Sequence, residues 1–494
     1  MNVMIALGLI SIMLLVGMLL RAKIPFFRMM LVPATVIAGL VGLVVMNLLG
    51  DSLKPSGVDT GLLTNIVNIL FTLSFISIAL TRAPKQRRKE GEDSTAKSVA
   101  KGSLGMGLIW DILYALTPVA GAMIIMVVGS GFGMDKIYGL LIQFGFAQGP
   151  GQAATYGTIF EQYGWKDAAM VGMTFAVTGF IAAFLIGVPI AKMGLRRKIA
   201  RNGGKATESV SKGYFPKEEQ RETMGKVTTY SGNVETMAYH FALMGVCFLL
   251  AIGISKLFAL IPGFLGSSMS GMLFMCGMFA GYIVNFVTKK LKIDHLQNNT
   301  LQSKITGWMT DFLVIASFMS VRVSVVGKWI VPILAECIVV ALITIGICMY
   351  FGQRLGGQND FERTLGLYGT STGTVPSGIA LIRMVDPRLK TTTATELGMM
   401  NIPMMASTIT VMVVMAVASH SMDFWLGMGI LIIQVPVFML LLRVFRCWGK
   451  KSYSFNKKWL TAHADQFGGD HETLHGSLRQ PGVPAAPCPA EGKG

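Results

Sequence analysis

The sequence predicts an all-α polytopic membrane protein: two inverted repeats of five transmembrane helices plus one re-entrant hairpin each, with an extra C-terminal helix, giving about eleven spans. Three observations lead there. The 494 residues are 52% hydrophobic and only 14% charged, with a mean hydropathy of +0.57, where soluble domains average about 25% charged residues. Apolar runs of about 20 residues, enough to cross ~30 Å of hydrocarbon, recur along the chain between loops that hold most of its basic residues. Two uncharged Gly-rich stretches, Phe144–Gly157 and Gly366–Gly378, interrupt this series at matching places. Pro150 stands 22 residues before Gly172, and Pro376 stands 22 before Gly398, as an internal repeat requires.

Met1–Leu20 is apolar with no basic residue ahead of it, and Arg21, Lys23 and Arg28 follow. That is the pattern of a retained first span with its N-terminus outside, not of a cleaved signal peptide. The first repeat, residues 1–195, holds spans near 3–20, 29–49, 62–81, 104–128 and 167–190, with a hairpin near 138–159. A basic cytoplasmic linker, 196–235, leads to the second repeat, 236–418. Its spans lie near 236–258, 268–288, 305–321, 329–351 and 392–418, with a hairpin near 363–382. A final helix, 424–442 within 419–446, precedes a Pro-rich tail, 447–494, which should be cytoplasmic and disordered.

Gly and Pro leave backbone groups without helical partners, and in lipid such backbone survives only where protein covers it or water reaches it. Both Gly-rich stretches should therefore dip into the membrane and return. Charge supports this. With both stretches re-entrant, 37 of the 43 Lys and Arg fall in cytoplasmic loops and the tail; if either crossed fully, every later loop would change sides and the bias would collapse.

The net charge of +17 sits in loops between apolar spans, so it reports topology and contact with an anionic leaflet and implies no nucleic acid partner. The six Cys are scattered and mostly within apolar spans, without a CxxC pair, so neither disulfides nor structural zinc are expected. His463, His471 and His475 belong to the polar tail. Gly129–Gly133 reads as a turn, and there is no Walker loop, HExxH or GxSxG, which argues against an ATP-driven pump or a membrane enzyme. A channel is a weaker fit, because neither a ring of charge nor a repeated carbonyl filter is visible.

Paired interrupted segments, one in each half, point to the binding site of a secondary transporter. The first offers Gln148, Gly149, Pro150, Gly151, Gln152 and Thr155; the second offers Thr370, Ser371, Thr372, Gly373, Thr374, Pro376 and Ser377. Their hydroxyl and carbonyl oxygens suit Na⁺ as a coupling ion. The helix N-termini just after each turn present N–H groups to a substrate carboxylate. Acidic residues within spans are Asp111, Asp311, Glu336 and Glu396, and ionisable groups at such depth carry a functional expectation. Glu396 would either coordinate a cation or anchor the second hairpin. It flanks the site together with Asn401, just before the helix-breaking Pro403. No other cofactor or resident metal is expected.

Gln148-Gly-Pro-Gly-Gln-Ala-Ala-Thr-Tyr156, Ile159–Gly164, Met170–Met173, Gly373-Thr-Val-Pro-Ser-Gly378 and Asn401-Ile-Pro403 resemble the glutamate:sodium symporter family. The resemblance spans most of residues 1–446 and is specific in the hairpin regions. Where the family's first hairpin reads Gly-Gly-His-Gly, this chain has Gln148-Gly149-Pro150-Gly151. The resemblance implies Na⁺-coupled uptake of glutamate or a related carboxylate, a homodimer, and elevator-like movement of a hairpin-bearing domain in a bacterial cytoplasmic membrane.

Overall fold

Apolar runs in hydrocarbon must satisfy their backbone internally, and a helix does so within one segment. In the computed structural model, which describes residues 2–53, 57–81, 93–201, 212–214, 225–387 and 389–456, the described residues form helices and connections without any strand. Among the described residues, eight helices are long and apolar enough to cross a membrane.

The helices are α1 Asn2–Lys23, α2 Ala34–Leu53, α3 Thr60–Leu80, α4 Asp93–Val128, α5 Pro150–Gln162, α6 Ala168–Arg196, α7 Thr236–Ala259 and α8 Leu273–Lys290. They continue with α9 Asn299–Ser320, α10 Ile330–Gly352, α11 Asp360–Ser371, α12 Val375–Val385, α13 Thr393–Met399, α14 Thr408–Ala418 and α15 Phe424–Val444. Short helices such as Pro25–Met30 and Phe264–Gly271 lie between them. Three of the expected spans, near 29–49, 268–288 and 305–321, form helices α2, α8 and α9 that fall outside the eight. The apolar part of α2 is short, Ala34–Gly50, because Leu31 adopts φ 48° and Pro33 follows it, so the helix restarts five residues later than expected. Helix α9 carries Lys304 and an exposed Asp311.

Two packing groups arise. In the first, α3 lies against α8 and α9, α2 against α1 and α9, and α7 against α8. Small residues permit these approaches: Gly39 and Gly42 lie against Phe318 and Met319, and Gly277 and Gly281 lie against Ile76 and Ala79. Polar contacts bind the same helices. Gln302 Nε2 donates to Ser77 Oγ at 2.7 Å, and the Ser77 and Thr306 hydroxyls are 2.6 Å apart. His240, whose ring joins Thr236 O at 2.7 Å and the Asn298 N–H at 2.9 Å, is likewise a structural bridge.

In the second group, α4 runs past α10, α13, α15 and the segment 136–147, while α6 packs on α5 and α12. Between the groups α5 and α6 meet α3 and α9. The large exposed side chains of α1, α7 and α15, among them Leu15, Leu19, Leu249, Ile433 and Leu440, form the apolar surface a lipid-facing helix needs.

The start of the expected tail is a strap. Gly449 N donates to Arg354 O at 2.6 Å and Ser452 N to Gln353 O at 2.8 Å. Tyr453 is buried, stacks edge-on to Phe361, and donates its hydroxyl to Thr364 Oγ1 at 2.7 Å. Residues 457–494, with all three tail histidines and Cys488, lie outside the described residues, as do 82–92 and, within the 196–235 linker, 202–211 and 215–224. The other five Cys are buried free thiols.

Candidate functional site

Each Gly-rich stretch folds as helical chain, turn and second helix. In the first, short 3-10 and π turns over Lys136–Ala147 end at Gln148, and α5 begins at Pro150. Gly149 between them has φ 83° and ψ −174°, a conformation open to glycine and strained for other residues. In the second, α11 closes at Ser371, Thr374 is extended, and α12 begins at Val375 with Pro376 in its first turn. Proline suits both helix starts because those N–H groups have no helical acceptor.

The two turns touch. A Cβ placed on Gly149 would stand 2.5 Å from Thr374 Cγ2 and 3.2 Å from the Gly373 carbonyl oxygen. Stretches more than 200 residues apart in sequence thus place two helix N-termini side by side, each with a positive dipole end.

Around the turns the expected polar residues are mostly buried. Gln152, Thr155, Thr370, Ser371, Thr372 and Ser377 are all below one tenth exposed. Thr370 and Thr372 donate to the carbonyls of Gly366 and Tyr368 at 2.9 and 2.8 Å, which leaves their oxygens free to accept or coordinate. Thr155 Oγ1 lies 3.0 Å from both Gly151 O and Asn68 Oδ1. Gln148 Oε1 accepts from Tyr114 at 2.8 Å. The Gln152 carbonyl oxygen is buried without a partner among the described residues. A wall of rings supports this side: Tyr114 stacks on Trp110 at 4.5 Å, and Phe144 stacks on Tyr156 at 3.9 Å.

The flanking residues differ. Glu396 lies in a buried ion pair, accepting from Arg363 Nε at 2.6 Å, Arg363 Nη2 at 2.8 Å and Thr392 Oγ1 at 2.7 Å. Arg363 Nη1 also reaches Asp360 Oδ1 at 3.0 Å. This geometry clamps α13 to α11. Asn401 is exposed and donates to Gly398 O at 3.0 Å. Sequence reasoning missed Asn68 and Tyr114. Each is a polar group inside an apolar span, which is a signal, but its partner lies 87 or 34 residues away.

The family model described as sodium/glutamate symporter matches residues 1–391. The chain belongs to the sodium/glutamate symporter family. Sodium/glutamate symporters of Escherichia coli K12 and Shigella flexneri are each 23% identical to it over 260 residues, or 52% of this chain. The matched part covers 61% of each relative's length. A sodium/glutamate symporter is a transporter rather than an enzyme, and the eight apolar helices suit a multi-pass membrane protein.

Proposed function

We propose that this protein is a Na⁺-coupled symporter of glutamate or a similar small carboxylate in a bacterial cytoplasmic membrane. The observation that carries the reading is the contact of the Gly149 turn with Gly373 and Thr374. Two helix N-termini there can hold a carboxylate, and nearby hydroxyl and carbonyl oxygens can hold Na⁺, a division of labour that discontinuous helices permit. The two stretches act as re-entrant hairpins of inverted repeats, entering from opposite faces. The N-terminus lies outside and the C-terminus in the cytoplasm. Separate packing of α1–α3 with α7–α9, and of the remaining helices with one another, supports elevator-like alternating access: the second group slides against the first, which joins two protomers.

The test is uptake of labelled glutamate into proteoliposomes with and without an inward Na⁺ gradient, followed by a panel of carboxylates as competitors. Uptake that ignores the Na⁺ gradient would overturn the coupling. Gln148→Ala, Thr372→Ala and Ser377→Ala should each weaken apparent affinity for substrate or Na⁺ about tenfold, the effect of losing roughly 1.4 kcal/mol. Elution as a single assembled species should be unchanged. Wild-type kinetics in all three would place the site elsewhere.

A further inference from the structure

Helix α4 carries a carboxylate that neither the ion pair nor the turns use. Asp111 is 0% exposed, and both of its oxygens are buried without a hydrogen-bond partner among the described residues. An ionised carboxylate so placed is strongly disfavoured unless an opposite charge joins it. Among the described residues no Lys or Arg does so.

Its surroundings are defined by the face of α4 on which it lies. Gly107, Asp111, Tyr114 and Gly121 follow at helical spacing on one side. At the near end, a Cβ on Gly107 would collide with the Pro403 ring and stand 3.2 Å from the Met400 carbonyl oxygen. Helical side chains lean toward the preceding turn, so Asp111 covers this same patch. One turn further, Tyr114 donates to Gln148 at the first Gly-rich turn. Asp111 therefore lies between that turn and Met400–Ser407, where Pro403 interrupts the backbone ladder linking α13 to α14. The Met400 and Ile402 carbonyls each accept one N–H there, from Met404 and Met405 at 3.2 Å, and keep a second lone pair, a hard donor of the kind a small cation takes.

We infer that Asp111 is the anionic ligand of a coupling-cation site for Na⁺ between the first Gly-rich turn and the Met400–Pro403 break. The inference rests on the transport reading above and gives it a fixed charge that the uncharged turns lack. Binding Na⁺ neutralises the buried carboxylate, and the break beside it offers oxygens that change position if α13 and α14 shift. Glu336 is the internal comparison. It is also fully buried without a hydrogen-bond partner among the described residues, but it lies against Gly121 at the far end of the face, ten residues beyond Asp111.

The experiment measures melting of the purified full-length protein in detergent against rising NaCl, with choline chloride holding ionic strength, and Na⁺ dependence of uptake in proteoliposomes. Wild type should be stabilised by Na⁺. Asp111→Asn should lose that response in both assays, Asp111→Glu should need at least tenfold more Na⁺ for half its effect, and Glu336→Gln should respond as wild type does. A wild-type Na⁺ response in Asp111→Asn overturns the inference. If that variant does not fold, an unchanged Na⁺ midpoint in Asp111→Glu overturns it instead. Uptake that follows a pH gradient rather than Na⁺, lost in Asp111→Asn, also overturns it, by making the cation a proton. Wild type that ignores Na⁺ in both assays brings down the transport reading itself, which separates the two failures.

Discussion

Gly149→Ala is expected to abolish Na⁺-driven uptake while leaving a folded, membrane-inserted protein. Two costs coincide at this position. The backbone at φ 83° and ψ −174° is strained for any residue with a Cβ, by about 1–3 kcal/mol. The new methyl also lands against Thr374 and the Gly373 carbonyl, and neither the second turn's backbone nor the first can yield without opening the contact. Relief comes by parting the two turns, which removes the geometry on which a shared site depends. Uptake should fall at least a hundredfold, with melting lowered by only a few degrees, as read by transport and thermal denaturation on the same preparation. Normal uptake would mean that the turns need not touch during the transport cycle.

The second large effect concerns stability. Breaking the Arg363–Glu396 pair by Arg363→Met should cost about 3–5 kcal/mol, because Glu396 would then be buried without a countercharge. The carboxylate is wholly enclosed: a methyl on Gly102 of α4 would collide with Glu396 Oε2 and Arg363 Nη2. Glu396→Gln should be nearly as damaging, and the double change Arg363→Met with Glu396→Met should recover part of the loss, since the one carboxylate then left without its countercharge, Asp360, still accepts from the Gly356 and Gly357 N–H groups and Ser452. Thermal melts of the three variants decide this. If Glu396→Gln instead melts normally yet loses Na⁺ dependence, Glu396 is a cation ligand rather than a clamp.

The helices were legible because hydrocarbon imposes one solution on an apolar run, and the two proline starts were legible because Pro150 and Pro376 announce themselves. The contact between their turns was not, since no local signal says that Gly149 faces Thr374. Arg363 shows the same limit from the other side. In sequence it counts as one more positive loop residue, whereas in the fold it is buried against Glu396, 33 residues away. Asn401 looked like a site residue because it precedes a helix break, yet the break turns its side chain outward. Tyr453 lay in a stretch read as tail, because a few aromatics scattered among polar and basic residues give no period from which burial can be inferred.

That tyrosine has a practical consequence. Through Ser452 and Tyr453 the segment that follows α15 is stitched to Asp360 and Thr364 at the base of α11, so the last helix is tied to the element bearing the second turn. A deletion that removes Tyr453 would therefore cut the tether between the last helix and the element bearing the second turn.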